Sequence, residues 1–168
     1  MKKVRKKIIQ VNRGQRITKI PLIRHNKDLF KDLQEHLIQV HSAGKKTVLI
    51  VDDSAAIRKI LHRVLMQAEV PLGKVHEAND GMEALEKLKA EKVGLILSDI
   101  NMPNMDGIEL LGKLKADATF KSVPILMVTT EGSQAKVLQA LELGANGYVR
   151  KPMTKSELMA AIASVLTT

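Results

Sequence analysis

The sequence predicts an α/β fold, a doubly wound five-stranded parallel sheet with helices on both faces, preceded by a basic N-terminal extension. Two observations predict it. Five short aliphatic runs alternate with five stretches whose apolar residues repeat at helical spacing. The aliphatic runs are apolar almost throughout, which is typical of parallel strands buried on both faces.

Charge divides the 168 residues into two parts. Residues 1–46 contain thirteen Lys and Arg against three Asp and Glu, a net charge of +10, whereas residues 47–168 contain fourteen against fifteen, a net charge of −1. We therefore expect a boundary near Gly44-Lys45-Lys46, with an extension over 1–46 and a folded domain over 47–168. The sequence has no Cys, no secretory leader and no apolar stretch of membrane-spanning length. These absences predict a cytoplasmic protein without disulfides or thiolate sites.

The extension allows three interpretations. Two β-rich segments on either side of Asn12-Arg13-Gly14 favour a hairpin, and a later apolar stripe favours an amphipathic helix (Leu29, Phe30, Leu33, Leu37 and Val40). In the first interpretation, the segment is a solvated basic arm with a helix that docks on the domain or on a second copy. In the second, the segment binds the phosphate backbone of a nucleic acid. In the third, its helix binds a membrane surface or a partner protein. No DNA-binding motif supports the second interpretation. The histidines lack metal-site spacing and are taken as exposed (His25, His36 and His41).

The elements of the main domain can be assigned in order. The strands are predicted at Thr47–Val51, Val75–Ala78, Leu95–Ser98, Pro124–Val128 and Gly147–Val149. Each helix begins after a residue that can cap its first turn (Ser54, Asp80, Asp106, Ser133 and Thr154). Pro71 and Gly73 predict a loop before the second strand. His62 and His76 are away from the carboxyl ends of the strands and are expected on the surface, without a catalytic role.

Polar side chains follow four of the five predicted strands (Asp52-Asp53, Asp99, Thr129-Thr130 and Lys151). The carboxyl ends of parallel strands meet at one edge of a sheet, where α/β folds bind their ligands. Each residue also has an ordinary explanation, since paired Asp residues often cap a helix, Thr-Thr is common in strands and Lys-Pro is a common loop pair. Their occurrence together, in this order, predicts one site.

The predicted site suits phosphoryl transfer to Asp99. Carboxylates in one cleft repel each other, and a divalent cation relieves the repulsion; oxygen ligands without His or Cys favour Mg²⁺. Lys151 offers a compact positive charge to a phosphoryl oxygen, and the Thr129 hydroxyl can donate to another. Phosphoryl transfer needs chiefly positioning and charge stabilisation, which this set supplies.

The sequence resembles the response-regulator receiver domains of two-component signalling, and within them the CheY-like chemotaxis regulators. The matching stretches are Val48 to Ser54, Leu97 to Gly107, Val128 to Glu131 and Gly144 to Pro152, and the resemblance covers residues 47–167. It implies the flavodoxin-like strand order 2-1-3-4-5, for which this family is a standard example. Residues 1–46 lie outside it.

The resemblance also implies roles for individual residues. A histidine kinase would transfer its phosphoryl group to Asp99, with Asp53, Asp99 and the Asn101 main-chain carbonyl on Mg²⁺ and Asp52 acting through water. Thr129 and Tyr148 would form a switch pair, although Tyr148 also suits a half-buried edge aromatic. A cis bond before Pro152 is implied as well. Thr130 departs from the small residue usual in the family, which would alter the access of phosphoryl donors or phosphatases to Asp99. Asn101 and Glu131 match the chemotaxis type, in which these positions tune the lifetime of the phosphoryl group.

We therefore expect a phosphoacceptor switch rather than an enzyme. Its partners would be a histidine kinase and an effector protein, such as the flagellar motor switch, that reads the face of the last two helices and the fifth strand. With no output domain after residue 168, the output would be protein binding or would involve residues 1–46. An aspartyl-phosphate phosphatase is the enzymatic alternative; those enzymes need a second Asp two residues after the first, and here that residue is Asn101.

Overall fold

The computed structural model describes residues 45–68, 72–130 and 132–166. The predicted hairpin, the predicted N-terminal helix, Pro71 and Glu131 lie outside these residues. The strands are β1 (Lys46–Val51), β2 (Leu72–Ala78), β3 (Leu95–Ser98), β4 (Ile125–Thr129) and β5 (Gly147–Arg150). The helices are α1 (Ala55–Met66), α2 (Gly81–Ala90), α3 (Gly107–Ala116), α4 (Gln134–Glu142) and α5 (Lys155–Leu166).

The five strands form one sheet in the order β2-β1-β3-β4-β5, and every neighbouring pair is parallel. This confirms the predicted fold class and the strand order that the resemblance implied. Alternate residues of each strand point to opposite faces. Leu49, Ile96 and Met127 pack with α2, α3 and α4, whereas Ile50, Leu97 and Val128 pack with α1 and α5.

Each helix begins directly after its predicted capping residue, but the Ser133 side chain makes no capping hydrogen bond at the start of α4. The carboxylates of Asp80 and Asp106 accept hydrogen bonds from the third residue of each helix, Glu83 N–H at 2.9 Å and Glu109 N–H at 2.8 Å. At α5, Thr154 and Glu157 form a reciprocal capping box, in which the Thr154 N–H donates to Glu157 Oε2 at 2.7 Å. These caps fix the helix N-termini at the carboxyl edge of the sheet.

The prediction for the second strand was wrong at its start. β2 begins at Leu72, so Gly73 lies inside the strand and not in a loop. The pairing of β2 with β1 shifts register between Lys46 and Val48, and an irregular pairing of this kind tolerates glycine. A Cβ at Gly73 would lie 3.4 Å from the Lys46 carbonyl, so the two backbones approach closely there.

The two histidines of the domain differ. His62 on α1 is partly exposed and contacts Glu77, in agreement with a surface position. His76 on β2 is not on the surface as expected, because its side chain is 22% exposed and its Nε2 atom is buried, 3.9 Å from Glu91 Oε2. Glu91, which His76 approaches, is the residue that directly follows α2. Within the described residues, no helix is both long and apolar enough to cross a membrane.

Candidate functional site

The carboxyl edge of the sheet brings the predicted acidic residues together. Asp52 and Asp53 follow β1, and Asp99 follows the neighbouring strand β3. One oxygen from each of the three carboxylates lies within 4.8 Å of the others. Asp52 and Asp99 are buried and Asp53 is exposed, so the cluster has one open side.

Lys151 joins the two buried carboxylates. Its Nζ atom lies 2.6 Å from Asp52 Oδ2 and 3.1 Å from Asp99 Oδ2, and the side chain is buried. Burial, the largest influence, opposes the charged form, but hydrogen bonds and charges from Asp52 and Asp99 outweigh it and hold the pKa of Lys151 above its ordinary value. Lys151 therefore carries its positive charge inside the site.

Backbone donors hold the other oxygens of both buried carboxylates. The Ser54 N–H donates to Asp52 Oδ1 at 2.8 Å, and the Ile100 N–H donates to Asp99 Oδ1 at 2.6 Å. Each carboxylate thus has one oxygen on the main chain and the other on Lys151. The orientation of both groups is set before any ligand arrives.

The loop after β3 fits tightly around Asp99. An ideal Cβ on Gly107 would lie 1.9 Å from the Asp99 carbonyl oxygen, so only glycine fits there. The Gly107 N–H donates to the Ile100 carbonyl at 2.8 Å, and the Ser98 hydroxyl donates to the Asp99 carbonyl at 2.9 Å. These contacts fold the loop back on the residue that it follows.

Thr129 and Tyr148 lie on neighbouring strands. Thr129 is fully buried as the last residue of β4, and Thr130 after it is exposed. In the β4–β5 register, Thr129 is opposite Arg150 and Met127 is opposite Tyr148, which places Thr129 and the half-buried Tyr148 on the same face of the sheet. The Lys151–Pro152 bond at the end of β5 is cis, as the resemblance implied.

Sequence reasoning missed Arg58. Its guanidinium donates to the Asp52 main-chain carbonyl at 2.7 Å and to Glu77 Oε2 at 3.0 Å, while His62 Nδ1 lies 3.0 Å from Glu77 Oε1. The hydrogen bond with His62 contributes most to lowering the pKa of Glu77; partial burial opposes the lowering and Arg58 adds to it. The helical spacing placed Arg58 on α1 but gave no sign that it reaches β1.

Sequence reasoning also missed Lys136, in the first turn of α4. Its Nζ atom lies 3.1 Å from the side-chain oxygen of Asn101, which is exposed in the loop after β3. The two residues are thirty-five positions apart, so no local pattern could have paired them. Both residues are exposed, whereas Asp99 and Lys151 are buried.

Comparisons with known proteins identify relatives of this domain. The family model of the response regulator receiver domain matches residues 48–163. The chemotaxis protein CheY1 of Helicobacter pylori is 41% identical over 122 residues, which cover 72% of this chain and 97% of that protein. The CheY4 structure from Vibrio cholerae is 36% identical with a TM-score of 0.66, covering 73% of this chain and 99% of that one. The CheX–CheY–BeF3–Mg²⁺ complex from Borrelia burgdorferi gives 28% identity and a TM-score of 0.69, covering 76% and 94%.

Proposed function

The chain belongs to the response regulator receiver family and is a phosphorelay response regulator of the chemotaxis and signalling type, and from this premise we propose that Asp99 is its phosphoacceptor. The observation that carries the proposal is the double anchoring of Asp99. One oxygen is held by the Ile100 N–H and the other by Lys151, at the end of a fully buried strand. This anchoring presents a carboxylate of fixed orientation beside a cation that can accompany a phosphoryl oxygen.

The residues of the site fit a magnesium ion. Three carboxylates within 4.8 Å, one of them exposed, supply the hard oxygen donors that Mg²⁺ prefers and leave room for its waters. Asp53, Asp99 and the Asn101 main-chain carbonyl would hold the ion directly, and Asp52 would act through a water. When bound, the ion supplies positive charge to phosphoryl oxygens.

The transfer step uses side chains already in place. An Asp99 oxygen attacks phosphorus, the bond between phosphorus and the kinase imidazole breaks, and the electron pair leaves on the imidazole nitrogen. Lys151 exchanges its contact with Asp99 Oδ2 for one with a phosphoryl oxygen, and the Thr129 hydroxyl donates to another. Lys151 and Thr129 stabilise charge, while Asp99 forms the covalent bond.

Thr129 and Tyr148 form the proposed switch. Because both lie on the face of the sheet that packs with α2, α3 and α4, movement of Thr129 toward the phosphoryl group opens space on the side where Tyr148 lies. Inward rotation of Tyr148 would then change the surface of α4, β5 and α5 that an effector reads. Family membership supports a phosphoacceptor switch, and Asn101, two residues after Asp99, argues against an aspartyl-phosphate phosphatase.

The proposed partners are a histidine kinase and an effector protein, with the flagellar motor switch as one candidate effector. CheY is bound to CheX in the Borrelia burgdorferi complex, and a protein partner is proposed here by analogy.

The net charge of +10 on residues 1–46 favours a second output, in which this segment, separate from the domain over 47–168, binds nucleic acid, a membrane surface or a second copy. We further propose a cytoplasmic location.

Uptake of a phosphoryl group from acetyl phosphate tests the assignment. We expect the intact chain with Mg²⁺ to gain one phosphoryl group, detected by intact mass, and Asp99→Ala to gain none. The control is Asp106→Ala, which removes a carboxylate that caps α3 in the loop after β3 and is outside the acidic cluster. An Asp99→Ala chain that still takes up phosphate would refute the proposal.

A further inference from the structure

Lys136 connects α4 with the loop that begins at Asp99. Its Nζ atom contacts Asn101 Oδ1 at 3.1 Å, and Asn101 is two residues after Asp99. β3 and α4 are otherwise separated by α3 and β4 along the chain. The contact therefore joins the loop after Asp99 to α4, two segments that come together only in the folded chain.

The Lys136–Asn101 contact lies on the exposed surface next to the loop that follows Asp99. Lys136 and Asn101 are both exposed, whereas Asp99 and Lys151 are buried. A phosphoryl group on Asp99 has to project toward the open side, where Asp53 is also exposed. A water molecule that hydrolyses the acyl phosphate has to approach phosphorus from the same side, because attack is in line with the departing Asp99 oxygen.

We propose that Lys136 is a positioning residue of this site, which holds the Asn101 side chain beside the Asp99 phosphoryl group and thereby lengthens the life of the acyl phosphate. The inference rests on the proposed function of Asp99. In the hydrolytic step, a water oxygen bonds to phosphorus, the bond between phosphorus and the Asp99 oxygen breaks, and the carboxylate is regenerated while the water proton goes to solvent. A fixed Asn101 side chain narrows the path of that water.

The positive charge of Lys136 also contributes to the longer life of the acyl phosphate. The three carboxylates and a phosphoryl group place several negative charges in a small space, and Lys151 is on the buried side of them. The Lys136 ammonium, 3.1 Å from Asn101 Oδ1, adds a positive charge on the exposed side of the site. Arginine can keep both the charge and a donor to Asn101, but alanine can keep neither.

The experiment compares decay rates of the phosphorylated chain. The wild type, Lys136→Ala, Lys136→Arg and Lys113→Ala are phosphorylated with acetyl phosphate and Mg²⁺, the donor is removed, and the remaining phosphoprotein is followed by intact mass. Lys113→Ala is the matched control, because it removes an exposed helical lysine that pairs with Glu109 on α3, away from the opening. Alanine is a strong helix former, so the exposed substitutions preserve α3 and α4.

We expect Lys136→Ala to decay about threefold faster, the size of effect typical of an exposed charged contact. Lys136→Arg and Lys113→Ala should match the wild type. The ¹⁵N–¹H signal of the Asn101 side-chain amide in the unphosphorylated chain is a second readout, and it should move in Lys136→Ala but not in Lys113→Ala.

Two results would overturn the proposal. One is equal decay in Lys136→Ala and the wild type. The other is faster decay that Lys136→Arg does not reduce, because it would point to a disturbed α4 and not to a lost cation. A wild type that takes up no phosphoryl group would refute the function of Asp99 itself, so the two failures are distinguishable.

Discussion

Each end of the parallel strands has a lysine whose ammonium group contacts protein oxygen atoms, and the pKa values of the two lysines shift in opposite directions. At the carboxyl edge, Lys151 contacts two carboxylates, and its pKa is raised. At the amino edge, Lys115 donates to the main-chain carbonyls of Lys121 and Val123 at 3.1 and 3.3 Å, and burial lowers its pKa. Carbonyl dipoles satisfy an ammonium group geometrically, but only carboxylates compensate its desolvation.

In this domain the cavity and the acidic cluster lie at opposite ends of the strands. A cavity of about 380 Å³ lies at the amino edge, where its lining includes Lys46, Ser122 and Asn146. No group of three acidic or histidine side chains within ligand distance lines it among the residues that the structure describes. The proposed phosphoacceptor site at the carboxyl edge is therefore indicated by its converging charged side chains and not by the size of a cavity.

Replacing each lysine by methionine tests the comparison most strongly. Lys151→Met should reduce phosphoryl uptake from acetyl phosphate by about 100-fold or more, because it removes the charge beside the proposed acceptor. Lys115→Met should leave uptake within about twofold of the wild type. Initial rates of mass gain with Mg²⁺ measure both. Similar losses in the two variants would show that the edges do not differ in function.

Glycine substitutions test how closely the chain packs at the carboxyl edge. Gly107→Ala should lower the free energy of unfolding by about 2 kcal/mol, because its Cβ would overlap the Asp99 carbonyl. Gly112→Ala on the same helix has no neighbour within 4 Å of its Cβ and should raise the free energy of unfolding by about 0.5 kcal/mol. Urea unfolding followed by circular dichroism provides the values. Equal effects would contradict the tight fit around Asp99.

The two lysines should also affect the pH dependence of the unfolding free energy differently at alkaline pH, and this effect is smaller than the previous two. Both have an ordinary pKa of 10.5. The folded-state pKa of Lys115 is lower, so the cost of desolvating its partly buried charge is relieved as pH rises from that pKa to 10.5. The folded-state pKa of Lys151 is higher, so its stabilisation is complete below 10.5 and is lost as pH rises through the folded-state pKa.

The measurement is urea unfolding without Mg²⁺, at intervals from about pH 8 to about pH 11. The difference in unfolding free energy between the wild type and Lys115→Met should rise with pH below 10.5. The difference between the wild type and Lys151→Met should stay level there and then fall. If the two differences changed with pH in the same way, Asp52 and Asp99 would not be raising the pKa of Lys151 relative to that of Lys115.

Much of the fold and of the acidic site could be predicted because both follow from periodicity. Continuous aliphatic runs predicted the strands, and parallel strands bring Asp52, Asp99 and Lys151 to one edge whatever the details of the loops. The order of the strands came from the family resemblance, since spacing alone does not determine which strands are neighbours.

The remaining features depend on contacts between distant segments. Arg58 reaches the Asp52 carbonyl from α1, and Lys136 reaches Asn101 across thirty-five residues. The start of β2 at Leu72 depends on pairing with β1, which overrides the preference of Gly73 for a loop. Such contacts join residues that are far apart along the chain, so no local pattern in the sequence predicts them.

The place of β3 in the sheet has a mechanical consequence. β3 has only four residues, all buried, and it is hydrogen-bonded to β1 on one side and β4 on the other. β5 is bonded to β4 alone and forms the border of the sheet. Asp99 therefore follows a strand that is paired on both sides, whereas Tyr148 lies on a strand that is paired on one side only. If Asp99 is the phosphoacceptor, a change there would act on a strand held from both sides, and the edge strand with Tyr148 would be freer to adjust.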